Sequence, residues 1–230
     1  HMIVVGSNRP RLYATMLAAQ SLGAIPVPLY QDAVAAECVF PMTNAEVRLC
    51  VVEDQEQVDK LLEIADDIPA LRHIIYLDPR GMRGYNDPRL CLIDDLLEQG
   101  RAFNQEQPEF FNNQVALGKS SDVSVILYTS GTTGKPKGAV HVHANLRLTA
   151  DLYAGGVLGL KENDVCYSVA KLFFAYGLGN SFSFPIGNGC STILCSERPT
   201  PPLIAEIFKR YTVHRGMWHS IPACLTWPQE

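Results

Sequence analysis

The sequence has no cluster of lysine and arginine residues. Its 230 residues carry 24 acidic and 19 basic side chains, for a formal net charge of -5. A domain that binds nucleic acid ordinarily shows a basic patch or stripe, and attraction to anionic lipid needs one as well. We therefore expect no nucleic-acid partner and no binding to anionic membranes.

Closely spaced cysteine pairs are also missing. The seven cysteines include no Cys-x-x-Cys pair, their number is odd, and most lie in apolar surroundings. A zinc site or a disulfide framework would need closer pairs. The pattern favours reduced, buried cysteines in a cytoplasmic protein.

The long uncharged stretches contain helix-breaking residues. Residues 12–31 and 172–196 lack charge over roughly the length of a membrane span. Prolines interrupt both stretches, and glycines recur in the second, which a continuous spanning helix tolerates badly. We expect buried helices, turns and strands there, and no transmembrane segment.

Two familiar catalytic patterns are absent. The Walker loop needs four residues between its glycines, followed by Gly-Lys and a serine or threonine. Here only two residues separate Gly131 from Gly134, and a proline follows Lys135. The Gly-x-Ser-x-Gly elbow of α/β-hydrolases does not occur either. The sequence therefore supports neither a P-loop NTPase nor that class of hydrolase.

The sequence does contain short apolar runs that alternate with helical patterns. Strands alternating with helices indicate an α/β fold with mainly parallel sheets flanked by helices. Ser7 and Asn8 are expected to cap the first helix, with Pro10 in its first turn. The predicted strands are 3–6, 25–29, 47–52, 71–77, 123–128, 165–169 and 191–195, and the predicted helices are 12–22, 58–65, a segment from about 144, and 203–211.

Composition also divides the chain. His1 and Met2 resemble residues left by an expression vector, and we expect them not to be native. The polar stretch 102–122 is the best internal boundary, between a first α/β portion (3–101) and a second (123–230). A long surface loop inside one domain fits that stretch equally well.

The segment from Tyr128 to Gly138 combines glycines, hydroxyls and lysines. It reads Tyr-Thr-Ser-Gly-Thr-Thr-Gly-Lys-Pro-Lys-Gly. Glycines let backbone amides converge on an anion, hydroxyls add donors, and the two lysines add positive charge. The composition predicts a loop that binds polyphosphate. A flexible surface loop is the alternative, because glycine-rich loops are common.

This segment resembles the phosphate loop of the AMP-forming adenylating superfamily, which includes acyl-CoA synthetases, aryl-CoA ligases, peptide-synthetase adenylation domains and luciferases. In that family the loop holds the β- and γ-phosphates of ATP while a substrate carboxylate attacks the α-phosphate. The resemblance implies part of the large N-terminal domain, with ATP, Mg²⁺ and coenzyme A as cofactors and a small carboxylic acid as partner. It makes Lys137 a phosphate stabiliser and assigns no further catalytic residue. The implied loop residues are Thr129, Ser130, Gly131, Thr132, Thr133, Gly134, Lys135, Lys137 and Gly138.

Other segments resemble two different branches of the family. Residues 22–29 look like its upstream core motif, and 9–62 are similar to bacterial long-chain acyl-CoA synthetases. Residues 171–180 and 197–201 look instead like benzoate-CoA ligases. The acid that the resemblance implies is therefore aromatic or fatty.

The segment 171–180 lines the acyl pocket in the family. Rings can stack on an aromatic acid, and a glycine leaves room for it. A core-facing aromatic run is the structural alternative. The segment has no carboxylate to hold a substrate ammonium, which disfavours an amino acid. The positions that match are Phe173, Phe174, Tyr176 and Gly177.

Two histidines, His141 and His143, follow the phosphate loop. On a strand they would share a face and could bind a metal. With no third ligand nearby, polar positions bordering a site are the better interpretation, and we assign no metal site.

Several family elements do not occur in the sequence. The Tyr-Gly-x-Thr-Glu segment, the aspartate for the ribose hydroxyls and the domain with the catalytic lysine are absent. We expect a fragment of a ligase that is inactive alone. The alternative is a nucleotide- or acyl-binding module of the same ancestry that has lost catalysis. The sequence does not determine the acid or the oligomeric state.

Overall fold

The computed structural model describes residues 1–129 and 134–211, together with the backbone of 215–217. The chain divides into two compact units, and the division falls after Asn145. Sequence composition places the boundary earlier, at 102–122. Within the described residues the strands form a five-stranded, a two-stranded and a three-stranded sheet.

A parallel sheet is the centre of the first unit. Its strands are β1 (Met2–Val5), β2 (Pro26–Leu29), β3 (Leu49–Val52), β4 (His73–Tyr76) and β5 (Leu90–Leu92). The strand order is β2-β1-β3-β4-β5, and each neighbouring pair is parallel. Every residue of β1 is buried, as expected for a strand covered on both faces. The predicted α/β class with a mainly parallel sheet is confirmed.

Helices accompany these strands in the first unit. They are α1 (Pro10–Ser21), α2 (Ala35–Asn44), α3 (Gln55–Glu63), α4 (Ile93–Glu106) and α5 (Phe110–Leu117), with short 3₁₀ turns at Ala65–Asp67 and Met82–Gly84. The stretch 102–122, expected as a polar loop, therefore contains the end of α4 and all of α5. The rings of Phe103 and Phe110 pack edge to face with centroids 5.0 Å apart. This aromatic contact supports helix in a segment that is otherwise polar.

The core of the first unit lies between the sheet and its helices. Ile3, Cys50 and Ile74, on three adjacent strands, are fully buried, and α3 adds Val58. Burying one aliphatic side chain stabilises a fold by roughly 1.5–3 kcal/mol. The apolar runs that predict the strands are therefore also the residues that hold the helices onto the sheet.

The first helix begins differently from the expectation. Arg9 is its N-cap and makes no side-chain capping bond, while Pro10 takes the first helical position. The Ser7 hydroxyl instead donates to Glu53 Oε2 at 2.7 Å, and the Ser7 backbone N–H donates to the same oxygen at 2.5 Å. The predicted cap by Ser7 and Asn8 is wrong, because the Ser7 hydroxyl donates to the Glu53 carboxylate, which directly follows β3, instead of capping α1.

An antiparallel hairpin closes the first unit. Its strands are β6 (Val123–Thr129) and β7 (Lys137–Val142), and α6 (His143–Thr149) follows it. The Gln20 amide donates to the backbone oxygen of Ser124 at 3.1 Å and to its hydroxyl at 2.8 Å. Ile126 and Tyr128 pack against the core of the main sheet. The hairpin is thus fixed to the sheet along one of its strands.

The second unit holds a smaller parallel sheet. Its strands β8 (Val165–Ser168), β9 (Ser191–Ile193) and β10 (Arg215–Met217) have the order β10-β8-β9. Its helical segments are a π-helix at Ala150–Val157, α7 (Ala175–Leu178), a π-helix at Gly179–Ser183, α8 (Phe184–Asn188) and α9 (Pro201–Arg210). The Thr200 hydroxyl caps α9 by accepting from the Leu203 N–H at 3.4 Å. The predicted helix over 203–211 thus begins two residues earlier, at a threonine cap.

No disulfide joins any two of the cysteines that the structure describes. Cys38, Cys50 and Cys166 are buried, whereas Cys91, Cys190 and Cys195 are half-buried. Burial raises the pKa of the Cys38 thiol, which keeps it protonated and unreactive near neutral pH. Within the described part of the chain, no helix is long and apolar enough to cross a membrane.

Candidate functional site

The predicted phosphate loop connects the two strands of the hairpin. Thr129, the last residue of β6, lies opposite Lys137, the first residue of β7. Antiparallel pairing therefore brings the two ends of the loop side by side. Four of the predicted loop residues lie outside the described residues: Ser130, Gly131, Thr132 and Thr133.

Two described glycines meet different demands at this loop. Gly134 has φ +129°, a conformation that residues with a Cβ rarely adopt. Gly138 lies opposite Tyr128 in the hairpin, where a Cβ would stand 3.2 Å from the tyrosine Cζ and 3.0 Å from Ile126 Cγ2. Gly134 therefore allows the backbone turn of the loop, and Gly138 leaves room for the Tyr128 ring over β7.

Both lysines of the loop are exposed. Among the described residues neither forms an ion pair with a carboxylate. The Lys135 ammonium lies 5.6 Å from the ring centroid of Phe40, within the range of a cation–π contact. The aromatic partner of Lys135 carries no negative charge, and no carboxylate among the described residues competes with an anion for either ammonium group.

Tyr128 fixes the other side of the loop to α2. Its hydroxyl donates to Asn44 Oδ1 at 2.6 Å, and its ring meets Phe40 edge to face with centroids 6.3 Å apart. Burial raises the pKa of Tyr128, so this donor stays protonated well above neutral pH. Phe40 therefore contacts residues on both sides of the loop, a role that sequence reasoning missed.

The aromatic segment predicted to line the acyl pocket belongs to the second unit. The rings of Phe173 and Phe174 are tilted by 48° with centroids 4.3 Å apart. Phe174 is 55% exposed and precedes α7, while Tyr176 inside α7 is half-buried. The exposed ring argues against the structural alternative, in which the whole run faces the core.

Gly177 is buried against backbone. A Cβ at this position would lie 1.9 Å from the Lys171 carbonyl oxygen and 2.9 Å from that of Ala170. Real Cβ atoms do not approach oxygen so closely, so glycine is required here. The Gly177 carbonyl in turn accepts a hydrogen bond from the Ser181 hydroxyl at 2.6 Å.

Lys171 connects the aromatic segment to the residues that follow β9. Its ammonium donates to three successive backbone oxygens, those of Cys195, Ser196 and Glu197, at 3.0, 3.1 and 3.0 Å. An ammonium has three donors, and these contacts use all of them. Sequence reasoning did not assign this role, although Lys171 is the first residue of the segment 171–180.

The carboxyl edge of the main sheet is the other region where an α/β fold could bind a nucleotide. In open α/β sheets ligands bind at the switch point of the strand order, which here lies between β1 and β3. The Glu53 carboxylate occupies that place: it accepts from Ser7 through Oε2 and from Arg9 Nε through Oε1 at 2.5 Å. A carboxylate at the position of a phosphate disfavours nucleotide binding at this edge.

The two histidines after the loop belong to different elements. His141 is on β7, and His143 is the first residue of α6. No group of three histidine, cysteine or carboxylate side chains suited to a metal ion occurs in the part of the chain that the structure describes. We assign no metal ligand among these residues.

Comparison with known proteins identifies the family. The model of the family described as AMP-binding enzyme matches residues 1–226. The chain belongs to this family. The resemblance of the chain to the adenylate-forming superfamily is thereby confirmed.

Relatives in this AMP-binding family include both kinds of ligase that the sequence resembles. A benzoate–CoA ligase of Thauera aromatica is 35% identical over 197 residues, which covers 86% of this chain and 34% of that protein. A long-chain-fatty-acid–CoA ligase of Xenopus laevis is 29% identical over 160 residues, which covers 69% of this chain and 21% of that protein. The chain spans about a third or less of the relatives' length.

A solved structure agrees with the fold. The structure of a benzoate CoA ligase from Burkholderia xenovorans LB400 matches with a TM-score of 0.66 and 30% identity over 93% of this chain and 38% of that one. The α/β architecture, with its five-stranded parallel sheet flanked by helices, matches the N-terminal part of CoA-ligase structures.

Proposed function

We propose that this chain provides the phosphate loop and part of the acid pocket of an AMP-forming acid–CoA ligase. Such a ligase activates a carboxylic acid with ATP to an acyl-adenylate and then forms a thioester with coenzyme A. The observation that carries the proposal is the pair of exposed lysines, Lys135 and Lys137, beside a glycine-rich hairpin loop in a chain of the AMP-binding family.

The chemistry of the loop follows from its charges. Each ammonium group stabilises phosphate oxygens by charge-assisted hydrogen bonds, and Thr129 adds a hydroxyl at the same edge of the hairpin. Holding the β- and γ-phosphates leaves the α-phosphate open to the attacking carboxylate. The positive charge also stabilises the pyrophosphate that leaves. Mg²⁺ accompanies ATP in such reactions, but the described residues offer it no cluster of ligands.

The first prediction tests the loop directly. Replacing Lys137 with alanine removes a charge-assisted contact of about 1.5–3 kcal/mol. The dissociation constant for inorganic pyrophosphate, in roughly the millimolar range for the unaltered chain, should rise roughly tenfold or more. Isothermal titration calorimetry with pyrophosphate measures the dissociation constant of each protein.

The matched control is Lys119→Ala, which removes an exposed lysine outside the loop. Its affinity for pyrophosphate should equal that of the unaltered chain. Equal affinities for the Lys137→Ala variant and the unaltered chain would assign the loop a purely structural role.

We further propose that the acid is aromatic. The adjacent, tilted rings of Phe173 and Phe174, with Tyr176 beside a glycine, favour a short, flat slot over a long channel. The benzoate–CoA ligase relative supports this choice, since it covers more of the chain than the long-chain relative does.

A second prediction tests the acid class in the full-length ligase that the proposal requires. Tyr176→Ala should lower kcat/KM for benzoate by roughly three- to tenfold, because an aromatic stacking contact is worth about 0.5–1.5 kcal/mol beyond its burial. The value for octanoate should change little. Tyr211→Ala, a half-exposed tyrosine outside the segment, serves as the control. Faster turnover of palmitate than of benzoate, with Tyr176→Ala neutral for both, would point to a fatty acid instead.

A further inference from the structure

Two residues of α2 contact the phosphate loop from outside it. Phe40 and Asn44 are one helical turn apart, so their side chains lie on the same face of α2. Asn44 accepts the hydrogen bond of the Tyr128 hydroxyl, and the Phe40 ring lies against the Tyr128 ring. On the far side of the loop, the Lys135 ammonium lies over the same Phe40 ring. One helical turn thus contacts both Tyr128, just before the loop, and Lys135, within it.

We propose that Phe40 and Asn44 are positioning residues for phosphate binding: they hold Tyr128 and Lys135 so that the lysine ammonium faces the nucleotide phosphates. This inference rests on the proposed function of the loop. Phe40 and Asn44 are themselves uncharged, so their contribution is geometric.

The choice of an aromatic partner for Lys135 has a chemical reason. A carboxylate would neutralise the ammonium and compete with phosphate for it. The face of a phenyl ring attracts the cation through its quadrupole and leaves the N–H donors to another acceptor. A lysine held in this way has lost part of its rotamer freedom before the anion arrives, so less entropy is lost on binding.

The role of Asn44 is to fix the ring that supports Phe40. The bond from the Tyr128 hydroxyl to Asn44 sets the distance between β6 and the last turn of α2. Phe40 then packs edge to face against a ring that cannot shift. Lys135, which belongs to the loop, is thus placed by the same helix that holds the strand before the loop.

A double-mutant cycle on this chain, with inorganic pyrophosphate as the probe, tests the inference. Phe40→Leu keeps an apolar side chain but has no ring, and it should weaken pyrophosphate binding about two- to fivefold. Phe40→Tyr keeps the ring and should restore the affinity. In a Lys135→Gln background, Phe40→Leu should have no further effect, because the cation that the ring holds is gone.

Each other outcome has a distinct meaning. Equal losses from Phe40→Leu in both backgrounds would show a general packing role and overturn the inference. Tighter binding by Phe40→Leu would also overturn it, since the ring would then compete with phosphate for Lys135. If Phe40→Leu left pyrophosphate binding unchanged while Lys137→Ala weakened it, the positioning role of Phe40 would be overturned and the proposed function of the loop would stand. No effect of Lys137→Ala would remove the phosphate site itself, and the inference with it.

Discussion

A Gly177→Ala variant is expected to lose about 3 kcal/mol or more of the free energy of unfolding of the second unit. The new Cβ would stand 1.9 Å from the Lys171 carbonyl oxygen and 2.9 Å from that of Ala170, and both oxygens belong to the backbone, so no side chain can move aside. Overpacking ordinarily costs about 1–3 kcal/mol, and a clash between backbone atoms lies at or beyond the top of that range. Hydrogen exchange of the amides in β8 and α9 measures the loss.

Gly156→Ala is the matched control for this substitution. Gly156 lies in a helical segment of the same unit, and a Cβ there would meet only the Asp151 carbonyl oxygen at an ordinary 3.5 Å. Alanine at that position should leave the stability unchanged or raise it slightly, since it restricts the unfolded chain. Equal stability of the Gly177→Ala and Gly156→Ala variants would mean that the turn at Lys171 relaxes freely.

Glu53→Gln should lower the stability of the first unit at pH 7 and flatten its dependence on acid pH. Burial raises the pKa of the Glu53 carboxyl. Hydrogen bonds from Ser7 and from the Arg9 guanidinium lower it by more than burial raises it, so the net shift is downward. A carboxyl with a lowered folded-state pKa stabilises the fold above its unfolded value of 4.5, and this contribution disappears as pH falls through the folded pKa. Glutamine keeps the shape but loses the charge, at a cost of about 1.5–3 kcal/mol.

Urea unfolding between pH 7 and pH 3 provides the measurement. The unaltered chain should lose stability below about pH 4.5, and the Glu53→Gln variant should lose less over the same interval. Asp54, whose pKa is raised by burial, contributes with the opposite sign and is present in both proteins. Glu98→Gln, an exposed glutamate of α4, is the control and should behave like the unaltered chain. Parallel pH profiles for all three proteins would contradict the role of Glu53.

Four of the five strands of the main sheet, β1 to β4, were predictable because parallel strands are buried on both faces, whereas the short strand β5 was missed. Runs such as Ile3 to Val5 and Cys50 to Val52 are continuous and apolar, and they give a clear signal without any knowledge of their neighbours. The phosphate loop was located for a different reason: its glycines, hydroxyls and lysines are dense in eleven consecutive residues. Both features are local in sequence.

Features that depend on tertiary contacts were not predictable. Pro41 sits inside α2 and ordinarily signals a break, yet burial of Cys38 and Met42 keeps the helix intact. The Phe103–Phe110 contact likewise stabilises helix where the composition indicates a loop. In each case packing outweighs a local propensity of about 1–3 kcal/mol.

The contacts of the candidate site were missed for the same reason. Nothing in the spacing of Phe40 and Asn44 links them to a loop far along the chain. Lys171 could be placed beside the aromatic segment, but its three carbonyl partners belong to a distant turn. The charged and polar groups of the candidate site could be identified from the sequence, whereas the tertiary contacts that position them could not.

The bond between Tyr128 and Asn44 also bears on how the protein folds. It joins residues 84 positions apart, and the bonds from Gln20 to Ser124 span 104 positions. Closing such long stretches costs chain entropy, so contacts of this kind form slowly and late. All five strands of the main sheet precede the hairpin in the chain, and they can assemble on the ribosome before β6 is synthesised. We therefore expect the lysines of the loop to take their positions on a sheet that already exists, an order of assembly that pulsed hydrogen exchange can follow.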